Sequence, residues 1–311
     1  MSEIGQTPTE SRLLQFVKHL QNPVTVKELR SRMRGRRAFV VLTVYLIVMS
    51  GLISLVYLAF ASSSGGPFGP DARDMGRVIF STVVGIQTFL VLFMGPSFTA
   101  GAISGEKERQ TYDLLRTTLL TAPAFVTGKL LSALSYVLLL IFTAVPIQSI
   151  AFLLGGVSFL ELVLSQLILV VAAVAVAIFG LYCSTVMRST MGASVTTFAG
   201  ILLVTAGIPA LVGLFAAILG SVIGTLPSSG LAEILLTYLL LLLAATNLPA
   251  TLIVSDVFLL QKGTYFYYTD TIGGYTAYIF SPWPLFLVVY SLLALLFYWL
   301  IVRRIRRIAE K

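Results

Sequence analysis

The sequence predicts an all-α membrane protein with six transmembrane helices, and three observations lead there. Of its 311 residues 57% are hydrophobic and 11% charged, with mean hydropathy +0.95; a soluble domain carries about 25% charged residues. Six apolar runs are each long enough to cross a hydrocarbon core of ~30 Å. Lys and Arg flank those runs, as membrane topology requires. The net charge of +8 is therefore a membrane signature, and no nucleic-acid partner is expected.

Residues 1–37 form a polar, basic cytoplasmic N-terminus, 38–302 a single transmembrane domain, and 303–311 a basic cytoplasmic tail. From Pro23, the apolar Val24, Val26, Leu29 and Met33 sit among Lys27, Arg30, Arg32 and Arg34. This reads as an amphipathic interfacial helix on an anionic leaflet. The polar start and long first span argue against a cleavable signal sequence.

The spans run over about 38–60, 76–103, 128–154, 160–187, 191–219 and 283–302. Gln87, in mid-span, reads as an interhelical hydrogen bond. Gly155-Gly156 makes a tight turn, and the Ala/Val-rich fourth span permits close packing. Gly200 and Gly207, seven apart on one face of the fifth span, offer with the first span a contact surface for a second copy. Cys183 lies in an apolar run as a packing residue. With His19 the only histidine, neither a His/Cys metal site nor a Ser-His-Asp set is available.

Residues 231–254 are apolar enough to span, but charge parity opposes it. Of 21 Lys and Arg, 18 sort to one side if the two termini and the segments around Glu106 and Arg188 share it; Arg73, Arg77 and Lys262 remain outside. A seventh crossing would put the C-terminal arginines on the wrong face. An outer re-entrant hairpin is expected instead, turning at Asn247-Leu248-Pro249. There Asn247 caps a helix and proline breaks the ladder. The aromatic, Gly-rich stretch from Lys262 to Pro284 reads as an outer interfacial belt and lid.

The longest polar interruption is Gly101 to Lys129, GAISGEKERQTYDLLRTTLLTAPAFVTGK. Glu106, Arg109, Asp113 and Arg116 recur at helical spacing as a polar stripe, and Tyr112, Leu115 and Leu119 as an apolar one. A helix over about 105–120 is predicted at the membrane surface, with one face for a soluble partner.

This stretch resembles the coupling helix of type-2 ATP-binding-cassette (ABC) transporter permeases, at Gly101, Gly105, Glu106, Glu108, Arg109, Thr111, Leu114, Leu115, Gly128 and Lys129. The opening NPVTVKELRSRMRGRR, Asn22 to Arg37, is similar to the family's N-terminal segment. The resemblance implies a multi-pass subunit of an ABC exporter in the cytoplasmic membrane, with both termini cytoplasmic. It implies a pair of permease chains, identical or similar, and a separate ATPase subunit that binds ATP and Mg. The ATPase-coupling residues would be Gly105, Glu106, Glu108, Arg109, Thr111, Leu114, Leu115 and Arg116. Leu114 and Leu115 are the anchor, and Glu106, Arg109 and Arg116 the rim. The second and fifth spans would line the substrate path, with Gln87, Thr88 and Thr205 as polar candidates.

The chain itself has no G-x-x-x-x-G-K-[ST] loop, since Gly128-Lys129 is followed by Leu130. It is expected to be neither an enzyme nor a binder of cofactors. Spans almost free of ionisable residues count against a channel or secondary transporter. An ABC-linked module that transmits force or supports assembly without exporting a substrate stays open beside the exporter.

Overall fold

The computed structural model describes residues 36–62, 71–110, 121–223, 230–272 and 274–309. Among the described residues the protein is mostly helical, with six helices long and apolar enough to span a membrane. The predicted interfacial helix lies outside the described residues, apart from the final basic pair that opens α1, Arg36–Ser62. α2, Ala72–Thr99, is the second span, and a short α3, Ser104–Glu108, follows it. α4, Ala122–Thr143, and α5, Val145–Leu153, make up the third span. α6, Phe159–Val186, is the fourth. The fifth comprises α7, Thr190–Leu202, a π turn at Leu203–Gly207, and α8, Ile208–Ile223. α9, Gly230–Ala244, and α10, Leu248–Lys262, are shorter. α11, Pro282–Ala309, is the sixth span.

α6 is the central post. Its small residues Ala172, Ala173, Ala175 and Ala177 are buried, so α2, α4, α7 and α11 approach it closely. In lipid, where apolar side chains gain nothing by leaving the solvent, such dispersion contact drives helix association. One apolar cluster joins α2, α4, α5 and α6 with Met49 of α1 and Phe286 of α11. A second, around Ile103, Val126, Leu181 and Ile301, packs the other end of the bundle. By contrast, no residue in the most apolar stretch of the fifth span is buried.

The predicted Gly155-Gly156 turn is a Schellman motif. Gly155 has φ +74, its N–H bonds Phe152 O at 2.9 Å, and the Gly156 N–H bonds Ala151 O at 3.3 Å. These bonds satisfy end carbonyls of α5. α6 starts two residues later with a capping box, Ser158 and Glu161 bonding each other's backbone N–H.

The all-α reading needs one amendment. Tyr267–Ile272 and Tyr275–Phe280 form an antiparallel hairpin, β1–β2, with Tyr267 opposite Phe280. Alternating residues around Gly273-Gly274 are its sequence signal. Lys262 bonds Asp270 Oδ2 at 3.2 Å. That bond is the first cause holding the Asp270 carboxyl below its usual range.

The fifth span also departs from the simple helix expected. Pro209 has no N–H, so the Thr205 carbonyl one turn earlier loses its helical donor. Asn247 Nδ2 supplies the replacement, donating to Thr205 O at 2.8 Å and Val204 O at 3.3 Å. Asn247 Oδ1 meanwhile accepts from Ala250 N at 3.2 Å, capping α10. Gly200 faces Phe179 of α6 within the same chain, where an added Cβ would stand 2.9 Å from the ring. The π turn also changes the rotation between Gly200 and Gly207. The expectation that both glycines present one face to a second copy is therefore revised.

Because Asn247 serves two helices and is buried, its substitutions discriminate. Asn247→Ala should cost about 1–2 kcal/mol, a lost cap plus lost interhelical bonds. Asn247→Asp keeps the capping oxygen but turns lone pairs toward two carbonyls. It should destabilise at least as much as the alanine, as read by thermal unfolding in detergent. A neutral aspartate would reduce the residue to a cap.

Candidate functional site

The site grows from the segment joining α2 to α4. α3 begins with backbone N–H groups that have no partner inside so short a helix. Ser184, in the last turn of α6, accepts from both Ile103 N and Ser104 N at 2.9 Å. A serine some 80 positions away thus caps α3. Ser104 and Ser184 are both fully buried.

The three charges that follow are each committed within the chain. Glu106 pairs with Lys129 of α4, and Lys129 also lies 5.5 Å from the Phe125 ring centroid. Lys107 Nζ donates to Thr185 O at 2.6 Å, Met187 O at 3.3 Å and Ser184 O at 3.4 Å. Those carbonyls end α6, where a cation is favoured by the helix dipole. Glu108 accepts at 2.8 Å from both Thr190 N and Thr190 Oγ1, placing a carboxylate on the N-terminus of α7. The sequence GEKE therefore fastens one short turn to α4, α6 and α7 together. Beside it lies a groove of about 560 Å³ lined by Gly105, Glu106, Arg109 and Lys129 among others.

Two expectations change. The polar stripe was expected to run through one helix over 105–120; α3 instead ends at Glu108, and Gln110 adopts φ +57. A left-handed residue cannot continue a right-handed helix, so the described part is a single stapled turn. Glu106 was expected on the charged rim of the docking surface; in the structure its carboxylate pairs with Lys129 of α4. Gly105 sits against Thr190, 3.4 Å from Cγ2 for an added Cβ. Arg109 remains exposed. Thr111, Leu114, Leu115 and Arg116 lie outside the described residues.

The path candidates do not converge. Gln87 is fully buried in an amide cluster. It donates to Ile141 O at 2.9 Å and accepts from Gln148 at 2.8 Å and Gln166 at 3.2 Å. Gln166 also donates to Gln148 at 2.7 Å. This matches the interhelical reading, although nothing local in the sequence pairs those three glutamines. Thr88, one residue on, borders a separate cavity between α2, α6 and α10. Thr205 sits beyond, at the π turn, with its hydroxyl on Ile201 O. Ser184, Lys107 and Thr190 were missed as site residues because their contacts join the ends of different helices. Cys183 is buried and free, and no metal-holding group of His, Cys, Asp and Glu occurs among the described residues.

No protein-family model matches this chain, and no curated protein matches it either.

Proposed function

We propose that this chain is the permease subunit of an ABC exporter, working as a pair of such chains with separate ATPase subunits that bind ATP and Mg. The observation that carries the reading is the stapled turn Ser104–Arg109. A push on it is delivered at once to α4 through Glu106, α6 through Lys107 and α7 through Glu108. A coupling element needs such rigid attachment, and a solvated flank does not. Thr111, Leu114, Leu115 and Arg116, together with Gly105 and Arg109, are the residues assigned to docking on the ATPase.

The distribution of basic residues supports a cytoplasmic position for both termini and Glu106. α9 and α10 then enter and leave from the outer face. At 15 residues each they reach about 22 Å, short of the ~30 Å core. Tyr238 of α9 bonds Tyr278 O at 2.7 Å and Lys262 at the end of α10 bonds Asp270, so both helices return to the same hairpin. Thr88 and Thr205 remain candidate path residues on the second and fifth spans, whereas Gln87 is held in the buried amide cluster and joins helices instead.

The test is co-purification with the ATPase and ATP-driven transport in proteoliposomes. Leu115→Ala removes an interface anchor worth ~2 kcal/mol and should weaken ATPase association about thirty-fold without unfolding the bundle. Lys262→Ala on the opposite membrane face is the control; Lys107, with its three carbonyl contacts, is unsuitable. If the Leu115 variant retains ATPase and transport like the control, the coupling assignment fails. ATPase turnover without movement of any substrate would leave the force-transmitting alternative.

A further inference from the structure

At the end of the bundle opposite the stapled turn, a cavity of about 510 Å³ lies between α2, α6 and α10. Its volume falls in the ~300–1,000 Å³ range of small-molecule sites. Its walls are apolar, with Leu92, Leu164, Ile168 and Leu252 among them. From Ser81 to Leu92 the α2 wall covers about 16 Å at 1.5 Å per residue, close to one leaflet of a ~30 Å core. Phe89 and Ile253 line it from different helices and are 62% and 64% exposed, so the groove is accessible from outside the bundle. Gly85 lies on the α2 wall, and a Cβ added there would meet nothing within 4 Å.

One end of this groove is charged. Glu161 and Asp256 both line it, and Arg77 stands between them, with Nη2 at 3.1 Å from Asp256 Oδ1 and 3.9 Å from Glu161 Oε1. Arg77 Nη1 is also 3.4 Å from Gly156 O. Two carboxylates and one guanidinium leave a net negative charge at the mouth of an apolar slot of leaflet depth.

We propose that this groove holds one acyl chain of a membrane lipid whose headgroup carries an ammonium, seated against Asp256 and Glu161. The depth selects a lipid of the adjacent leaflet, and the charge selects the headgroup. An anionic headgroup would meet the excess carboxylate, whereas an ammonium neutralises it. Each piece is set by its own helix. α2 contributes the glycine gap, α6 places Glu161 in its capping turn, and α10 brings Asp256 across. The site lies far from the stapled turn and requires no ATPase, so its test is independent of the permease reading.

The experiment uses the full chain, delipidated in detergent and offered equal amounts of phosphatidylethanolamine and phosphatidylglycerol with identical acyl chains. Native mass spectrometry reads the lipid retained. The wild type should retain about threefold more phosphatidylethanolamine, in line with one partly exposed charge contact. Gly85→Leu and Ile253→Trp fill the slot from different helices, and each should remove most of both lipids. Asp256→Asn should keep the retained total and even out the two headgroups. Equal retention by the wild type, a preference for phosphatidylglycerol, or unchanged retention in both filled variants would each overturn the proposal. A headgroup preference that survives Asp256→Asn would do the same.

Discussion

Gly156→Ala should lower stability by about 3 kcal/mol, the upper end of what an overpacked contact costs. A Cβ on Gly156 would stand 2.3 Å from Arg73 O, 2.5 Å from Arg77 N and 2.7 Å from Gly76 C. All three atoms are backbone, so no rotamer change relieves the clash. The approach is mutual, since a Cβ on Gly76 would lie 2.7 Å from Ala151 O. α2 and the turn into α6 thus meet backbone to backbone, and any side chain there forces them apart. The neighbouring glycine offers a contrast in mechanism. Gly155 has φ +74, but its Cβ would meet only Arg73 Cγ at 3.7 Å. Gly155→Ala should therefore cost only the left-handed strain of ~1–2 kcal/mol. Gly51, within α1 and with open space around it, should tolerate alanine or gain up to ~1 kcal/mol from helix propensity. Thermal unfolding in detergent, followed by circular dichroism, ranks the three. A larger loss at Gly155 than at Gly156 would contradict the close-approach account. The Gly156 variant should also disturb the charged groove mouth, because Arg77 leans on the Gly156 carbonyl.

The parts of the fold legible in the sequence share one property, which is that their cause is local. Hydropathy over twenty residues places the six spans, because a bilayer demands length and apolarity whatever the neighbours are. Gly155-Gly156 announces a turn, and Asn247 before Leu248-Pro249 announces a helix start, because their conformational preferences are intrinsic. The β1–β2 hairpin was also local, in the alternation around Gly273-Gly274, and was obscured by reading aromatic density as an interfacial belt. What stayed hidden depends on remote partners. Pro209 reveals that a carbonyl is freed, yet not that Asn247 will reach it. Gln87 reveals a mid-membrane need for hydrogen bonds, yet not that Gln148 and Gln166 meet it. In GEKE only Glu106 read as a rim charge, and nothing local signalled that all three charges are tied within the chain. Their partners Lys129, Thr185 and Thr190 are joined to them only by the packing of the bundle.

That packing makes the Glu106–Lys129 pair the sharpest test of the stapled turn. The two side chains are 22% and 8% exposed, so neither charge is fully solvated. Removing one member of a buried pair costs ~3–5 kcal/mol because the other charge keeps its desolvation penalty. The partial exposure of Glu106 moves the expectation for Lys129→Met to about 2–3 kcal/mol. Methionine keeps most of the lysine stem against Phe125 and deprives Glu106 of the ammonium it faces. Glu106→Gln should cost somewhat less, since the amide oxygen still accepts a bond from Lys129. Combining the two substitutions should recover most of the loss, because a neutral pair carries no stranded charge. The cycle of four proteins then gives a coupling energy well outside the ~0.3–0.5 kcal/mol scatter of independent sites. If the chain is the proposed permease subunit and the pair transmits force, the double variant should be stable and still co-purify with the proposed ATPase subunit, yet be slower in ATP-driven transport. α3 would remain tied to α6 by Lys107 and to α7 by Glu108, with its attachment to α4 weakened. Additive losses in unfolding would show that Glu106 and Lys129 act separately. Under that proposal, full transport by a stable double variant would show that the link to α4 plays no part in coupling.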